Sequence, residues 1–597
     1  MKHLLIPRTN ALGPRLAIAL GFLLLLTPAA PAALRLWTGN GADAFWSTPA
    51  NWNPAGAPQS GEDLAFPAAA PHRTSTNDLT GRTFGFILFN GANSDYELFG
   101  NGIILSGGLS SVSTAPLTKS PNLNLDITLA QDLRFVADDG GLGATRGVVL
   151  AGHTLTLNTT TSNALVALEG VISGVGDVVK VGVGQALFGG PNGNTYQGTL
   201  SVTEGIMLLG KGNGGNGLAV PGNLVIGSPI DPFGFTDPFV FGEVVMVNEN
   251  MIASSGKITI NHGSINQNGF DQVIGPLELY DGGIDTSNAM LTVTATISQP
   301  HWFFTRYPFI NGHLSLPFDT TFDLHQPGHL HIGATISGAG GITQQGSGSI
   351  ELFNTNDFTG AVTVNGGLLW VAESTQALGQ NAVVTLNQDG ILGLDTVTIA
   401  NKTLVVTSPG AALLAIDEPC VWTGPIHLNF TGQAQVTAGF VFGLDSSTSL
   451  RLTGPIHGTG GLRLGGHSIE LTANNDFTGD VSSAGELLLL NTGALRPFIG
   501  ALTVGGSFRS WGFSYGELDR AYTNALCEVR WLDSAFQLVP KATIRTNGWA
   551  NLNGHDNEFG SLDMTGGRIS SGAGKLFLDG PVTNHAAGVT ASIEGAL

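Results

Sequence analysis

Short runs of alternating polar and apolar residues recur along the whole chain. Four of the clearest occupy residues 154–157, 257–260, 362–364 and 395–399. A period of two is typical of a β-strand with one buried face, so each run predicts a short strand. Clusters of Gly, Asn, Asp and Ser separate the runs, and no segment combines helix caps with a 3.6-residue period. The pattern predicts an all-β protein.

One sequence unit occurs three times, near residues 170–209, 334–371 and 454–490. It begins with Ile-Ser/His-Gly-x-Gly, and Asn-x-aromatic-x-Gly follows 19 to 22 residues after the first Ile. The recurring positions are Gly174, Asn194, Tyr196 and Gly198; Gly338, Asn356, Phe358 and Gly360; and Gly458, Asn475, Phe477 and Gly479.

A second unit, Asn-x-Asn-Gly-x-Asp followed by a Gly-Gly pair, occurs near residues 266–284 and 551–569. A coil of about 20–22 residues cannot bury its own apolar side chains, but stacked coils bury them in a continuous column. The repeats therefore predict an elongated parallel β-helix of about 25 coils, roughly 120 Å long at ~4.8 Å per coil. We expect glycines at the corners, a ladder of mutually bonded asparagine amides, and the repeated aromatic side chains inside the column.

The chain divides into three predicted parts. Residues 1–32 have a basic start, an apolar core of 11 residues and a small-x-small cleavage pattern, which indicates a signal peptide rather than an uncleaved anchor. Residues 33–75, with Trp37, Trp46 and Trp52, are predicted to cap the first coil. Residues 76–597 are predicted to form the β-helix. We expect no transmembrane helix in the mature chain.

The composition of the chain excludes nucleic-acid binding as its function. The chain has 597 residues, of which 86 are glycine, and its net charge is −20. No run of Lys or Arg supplies the basic stripe that a nucleic-acid partner requires.

Cys420 and Cys527 would lie about five coils apart, roughly 24 Å, so we predict two buried thiols that form no disulfide with each other.

At these motifs the sequence resembles bacterial proteins that carry the autotransporter-associated β-strand repeat. The opening is also similar to theirs, with Trp37 and Trp46 followed by Trp52 and a strand-like segment at 63–66. The resemblance extends over residues 37–597 and implies a secreted or surface-displayed β-helical passenger of a Gram-negative bacterium, a type found in adhesins. It carries over no catalytic residue. The last residues lie in a repeat-like segment. We therefore expect either that the chain is a fragment of a longer autotransporter or that it is exported by another route.

Acidic and histidine residues are the candidates for chemistry. Asp138 and Asp139 form an adjacent acid pair, but neighbours in a strand point to opposite faces. Asp357 and Asp476 occupy a repeat position, which favours a structural role. A candidate zinc cluster consists of His325, His329 and His331. The alternative is that these histidines are solvated side chains on an outer strand. No catalytic residue, metal site or cofactor is predicted.

Two inserts that mix aromatic and cationic residues interrupt the repeats, and they are the candidate ligand-binding segments. Flat aromatic rings beside hydrogen-bonding groups suit the binding of sugar rings. The alternative is that these aromatic side chains pack over the flank of the rod. Their candidate residues are Trp302, Arg306 and Tyr307 in the first insert and Arg509, Trp511 and Tyr515 in the second.

Together these features predict a non-catalytic, structural or adhesive rod at the cell surface or outside the cell, and we expect it to be monomeric. Its expected partners are extracellular glycans, cell-surface components or matrix. The alternative is a carbohydrate-active β-helix enzyme, such as a polysaccharide lyase or glycosidase, or a glycan-binding module.

Overall fold

The computed structural model describes most of the chain from residue 33 onward. The described residues are 33–91, 95–112, 120–212, 217–228, 241–300, 308–325, 328–416, 419–439, 448–490, 497–509, 521–522, 526–532, 536–585 and 588–597. The predicted signal peptide, residues 1–32, lies outside them. The described chain winds into a parallel β-solenoid of about 21 turns, so the predicted fold is confirmed.

The solenoid has long sheets that run along its axis. Among the described residues the first sheet contains 23 strands: Leu34–Trp37, Trp52–Asn53, Asp63–Pro67, Thr83–Asn90, Ile103–Val112, Ile127–Leu129, Leu133–Ala137, Val148–Val149, Leu155–Thr159, Ile172–Ser173, Val178–Val181, Thr199–Val202, Asn223–Ile226, Ile258–Ile260, Leu277–Leu279, Ile297–Gln299, Thr320–Leu324, Ile342–Gly346, Val362–Val364, Val383–Leu386, Thr403–Val406, Ile426–Leu428 and Ile456–Gly458.

The second sheet forms another side of the solenoid and extends further along the chain than the first. Its strands within the described chain are Thr74–Asn77, Glu97–Gly100, Asn122–Asn124, Gly141–Ala144, Leu165–Leu168, Gln185–Phe188, Gly205–Leu209, Gly242–Met246, Gly263–Asn266, Gln272–Ile274, Gly282–Val293, Phe309–Ser315, His329–Ser337, Ser349–Leu352, Leu368–Ala372, Ile391–Asp395, Ala412–Ala415, Gln433–Ala438, Gly461–Gly466, Val481–Ser483, Leu502–Val504, Ala542–Ile544, Leu562–Met564 and Val582–Asn584.

A third sheet forms a further side of the later coils. Its described strands are Thr398–Ile399, Cys420–Trp422, Ser449–Leu452, Ser468–Leu471, Leu487–Leu490, Cys527–Trp531, Gln537–Val539, Gly548–Asn551, Asn557–Phe559, Gly567–Leu578 and Ala591–Ala596. The short strands Phe508–Arg509 and Ala521–Tyr522 pair with each other. Within the described ranges the helical content is a 3-10 turn at Pro49–Asn51.

Most strands pair in parallel register with a strand one coil away. Leu155 pairs with Val178, and Val178 pairs with Leu200, so these coils advance by 23 and 22 residues (178 − 155 and 200 − 178). All three side chains are buried, whereas Thr156 and Ser201, at alternate positions, are partly exposed. The alternation read from the sequence thus becomes the inner and outer face of the sheet.

Some coils are longer than predicted, and the number of turns is smaller. The partners Leu224 and Ile258 are 34 residues apart, and Leu502 and Ala542 are 40 apart (258 − 224 and 542 − 502). Because inserts consume residues without adding a turn, the prediction of about 25 coils is too high. About 21 turns at ~4.8 Å give a solenoid of roughly 100 Å.

One predicted strand is wrong in detail. Residues 395–399 do not form a single strand, because Ile391–Asp395 ends in the second sheet and Thr398–Ile399 belongs to the third. Thr396 between them has φ of 51°, in the left-handed region, and turns the chain at the corner. The polar–apolar alternation continues through this corner, so it gives no warning of the turn.

The tryptophans of residues 33–75 lie inside the start of the column. Trp37, Trp46 and Trp52 are all buried, and the ring of Trp52 packs edge-to-face on the other two with centroid distances of 5.1 and 5.9 Å. Phe66 lies against all three rings. Such pairs add to the stabilisation that comes from burying large apolar surfaces.

Cys420 and Cys527 are both buried on the third sheet, four strands apart. At ~4.8 Å per strand they are roughly 19 Å apart, so a disulfide between them is out of reach. Burial raises the pKa of both thiols. In the described part of the chain, no helical segment has the length and apolarity needed to cross a bilayer.

Candidate functional site

The repeated asparagines connect three successive coils. Each amide oxygen accepts a hydrogen bond from the N–H of the Ile that opens the same sequence unit, at 2.7–3.0 Å, and each amide nitrogen donates to a main-chain carbonyl one coil further on, at 2.7–2.9 Å. The side chains are buried. The residues are Asn194, Asn356 and Asn475. The predicted ladder of mutually bonded asparagines is wrong, because the three copies lie several coils apart.

The other repeat positions also have structural roles. Tyr196, Phe358 and Phe477 are buried in the column, as predicted. The opening glycines have positive φ of 87°, 112° and 111°; they are Gly174, Gly338 and Gly458. The closing glycines lie against the main chain of the coil below, where a Cβ would come within 2.0–2.3 Å of a backbone atom; they are Gly198, Gly360 and Gly479.

The acidic candidates are parts of the coil-to-coil bonding. The hydroxyl of Thr160 donates to Asp138 at 2.5 Å, and that of Thr161 lies 3.4 Å from Asp139. Each carboxylate thus meets a threonine of the next coil. Asp476 lies 2.7 Å from the Nδ1 of His457. The carboxylates of Asp138 and Asp139 therefore contact different threonine side chains.

His329 and His331 converge on a residue that the sequence analysis missed. The Nε2 of His329 and the Nδ1 of His331 lie 3.0 and 3.3 Å from one carboxylate oxygen of Glu351. His325 lies apart, 3.6 Å from Asp323. Among the described residues no group of three or more His, Cys, Asp and Glu side chains is placed to hold a metal ion. The signal that identifies Glu351 is its register pairing with His331, and this pairing is visible only once the strands are aligned.

The candidate ligand-binding residues mostly fall outside the described chain. Trp302, Arg306 and Tyr307 lie outside it, as do Trp511 and Tyr515. Arg509 belongs to the strand Phe508–Arg509, which pairs antiparallel with Ala521–Tyr522. The base of the second insert is therefore a two-stranded ribbon that begins directly after Ser507.

An open, polar groove lies at the base of this ribbon, on the outer face of the second sheet. Its volume is about 590 Å³. We call it the arginine groove, and its lining residues are Thr431, Gly432, Gln433, Thr459, Arg463, Gly479, Asp480, Ser482, Ala484, Thr503, Gly505, Gly506, Ser507 and Arg545. Its two cationic side chains contrast with the acidic balance of the whole chain.

The strand register builds the floor of the groove. Arg463 pairs with Ser482, and Ser482 pairs with Thr503, so three outward polar side chains follow one another on adjacent strands. Gln433 joins the floor, because its amide nitrogen donates to the Asp480 carbonyl at 2.9 Å and its amide oxygen accepts from the Ser482 hydroxyl at 3.0 Å.

The wall beside the ribbon is also fixed. Gly506 donates its N–H to the side chain of Asn547 at 2.8 Å, and its carbonyl accepts from the same side chain at 3.1 Å. The guanidinium of Arg463 donates to the Ser507 carbonyl at 3.2 Å. Ordered donors and acceptors around a concave surface are what a polar ligand requires.

The sequence of this chain is similar to that of an autotransporter adhesin. Over an alignment of 538 residues that takes in 86% of this chain, the sequence is 26% identical to the adhesin BmaC autotransporter of Brucella suis biovar 1 (strain 1330). The chain spans 13% of the length of that protein. No family model and no solved structure matches the chain. The resemblance to autotransporter passenger proteins is thereby confirmed.

Proposed function

We propose that this chain is a passenger-like, non-catalytic rod that is exported to the cell surface and mediates adhesion there. The observation that carries the proposal is the long parallel solenoid, which shares most of its sequence span with an autotransporter adhesin. A rod built of single stacked coils holds a binding site on its flank well away from the cell surface to which the rod is attached. We further propose that it acts as a monomer and that its partners are glycans, cell-surface components or matrix.

Adhesion is tested with inert beads coated with the purified chain. The beads are passed over epithelial cells, over extracellular matrix and over bare glass, and the fraction retained under flow is counted. We expect greater retention on cells or matrix than for beads coated with an unrelated protein of similar negative charge. Equal retention of both kinds of bead on every surface would contradict the adhesive role.

Export is tested in a Gram-negative host that expresses residues 1–597. We propose cleavage of residues 1–32, so the exported chain should begin near Ala33. Terminal sequencing of the surface-associated or released protein gives the answer. A chain that keeps its first 32 residues, or stays in the cytoplasm, would contradict the proposed location.

The absence of catalysis is tested by incubating the chain with a panel of neutral and acidic polysaccharides. We expect no fall in polymer length by size-exclusion chromatography. Depolymerisation would favour a carbohydrate-active enzyme, and the variant D139N would then show whether the acid pair of residues 138–139 contributes.

A further inference from the structure

We propose that the arginine groove binds an acidic polysaccharide, with one carboxylate or sulfate group at Arg463 and another at Arg545. This inference rests on the proposed adhesive function and gives it a ligand class and a place on the rod. The carboxylates and sulfates of such polymers share one chemistry, a pair of anionic oxygens that a guanidinium can bind with two parallel hydrogen bonds.

The charge of the groove is the first argument. Its lining has two guanidinium groups and one carboxylate, whereas the chain as a whole has 24 basic and 44 acidic residues. The Oδ1 of that carboxylate, on Asp480, already accepts the N–H of Ala501 at 3.0 Å. A local positive potential attracts an anionic polymer to this part of the flank, whereas the acidic surface of the rod elsewhere repels it.

The spacing of the two arginines is the second argument. Arg463 lies on Gly461–Gly466, and Arg545 follows Ala542–Ile544, with two further strands of the second sheet between them. Three strand spacings of ~4.8 Å place the two positions roughly 14 Å apart along the axis. An extended polymer that lies along the rod would therefore contact both cations, whereas a single small anion would contact one.

The floor between the arginines is the third argument. Ser482 and Thr503 present hydroxyl groups there, and Gln433 holds Ser482 in place. Hydroxyl and amide groups suit the hydroxyls of sugar rings. The glycines Gly479, Gly505 and Gly506 add no side chain above this floor, so the groove stays open along its length. A groove that is already ordered loses less conformational entropy on binding.

The test measures binding of the purified chain to polygalacturonate, heparin and neutral dextran by isothermal titration calorimetry. We expect binding to one or both acidic polymers and none to dextran. The double variant R463Q/R545Q should weaken that binding by about tenfold or more, because two charge-assisted contacts are lost. The control R134Q/R146Q removes the same charge from exposed positions on other coils and should change the affinity less than about twofold.

Polygalacturonate and heparin distinguish carboxylate from sulfate as the recognised group, and either result supports the site. Equal weakening by both double variants would overturn it, since the binding would then be a general charge effect. Equal binding of dextran, or no binding of either acidic polymer by a chain with an intact circular-dichroism spectrum, would also overturn it. The bead assay separates the two proposals, because adhesion that R463Q/R545Q leaves unchanged retains the adhesive rod and removes this groove.

Discussion

The side-chain oxygen of Asn356 accepts a hydrogen bond from the main-chain N–H of Ile336, 20 residues earlier in the chain, at 2.7 Å. These two residues open the two halves of one sequence unit, and the bond joins those halves across adjacent coils. The amide nitrogen of Asn356 donates to the Ala377 carbonyl at 2.7 Å, so one buried side chain links three coils. The distance between the motifs is therefore the length of one coil.

Replacing Asn356 with alanine should destabilise the solenoid by about 2–5 kcal/mol, because a buried donor and a buried acceptor of the main chain lose their partners. Urea denaturation followed by circular dichroism measures the change. Asn429 provides the matched control, since its side chain is exposed and N429A should cost less than about 0.5 kcal/mol. Equal losses in the two variants would show that the bridge contributes nothing.

The sequence predicted the fold because the repeat length, the alternation and the glycines are all consequences of stacking. It did not reveal that Asn356 bonds to main chain, since motif spacing gives the coil length but not the partner of a side chain. The arginine groove and the contact of Glu351 with His329 were missed for a related reason. They unite residues that only the strand register brings together, and no local motif marks them.

Replacing Tyr196 with phenylalanine should leave the stability unchanged or raise it by about 1 kcal/mol, because the hydroxyl is buried and has no hydrogen-bond partner among the described residues. Burial also raises the pKa of this phenol. Phenylalanine already occupies the equivalent positions 358 and 477. In the control Y96F, a hydroxyl that donates to the Pro67 carbonyl at 2.7 Å is removed, and about 1 kcal/mol should be lost. Thermal denaturation compares the two, and a larger loss for Y196F would contradict this account.

Replacing Gly198 with alanine should destabilise the solenoid by more than about 3 kcal/mol or prevent folding, because the new Cβ would lie 2.1 Å from the Gly176 carbonyl oxygen. The control is Gly81, where φ is +64° but no atom lies within 4 Å of an added Cβ. G81A should cost only about 1 kcal/mol of backbone strain. Soluble yield and urea midpoints rank the variants, and similar values for both would exclude close coil contact as the cause.

Lys180 and Lys211 are buried, and main-chain carbonyls surround their ammonium groups. Lys180 donates to the carbonyls of Val181, Gly182 and Glu204 at 2.6–3.1 Å, and Lys211 donates to two carbonyls 41 and 42 residues earlier. Burial lowers the pKa of each lysine from 10.5 to about 8, although nearby Glu204 and Glu169 oppose the shift. The cost of burying the charge therefore exceeds what the carboxylates return.

The free energy of unfolding should rise between pH 8 and pH 9, by about 1 kcal/mol for each of these lysines. Above pH 8 the folded chain has released protons that the unfolded chain keeps up to its ordinary value of 10.5, and stability increases with pH wherever the unfolded state binds more protons. From about pH 8 upward the two buried thiols oppose part of this rise, because their raised pKa keeps them protonated in the folded chain while unfolded thiols, with a pKa of 9.0, begin to ionise. Urea midpoints at half-unit steps of pH measure the effect. The variant K180M/K211M should lose most of the rise, although Lys402 remains, a third buried lysine whose pKa is also lowered by burial. The variant K575M, which removes an exposed lysine, should keep all of it. A flat or falling profile in the unmodified chain over this interval would mean that both ammonium groups keep their ordinary affinity for protons.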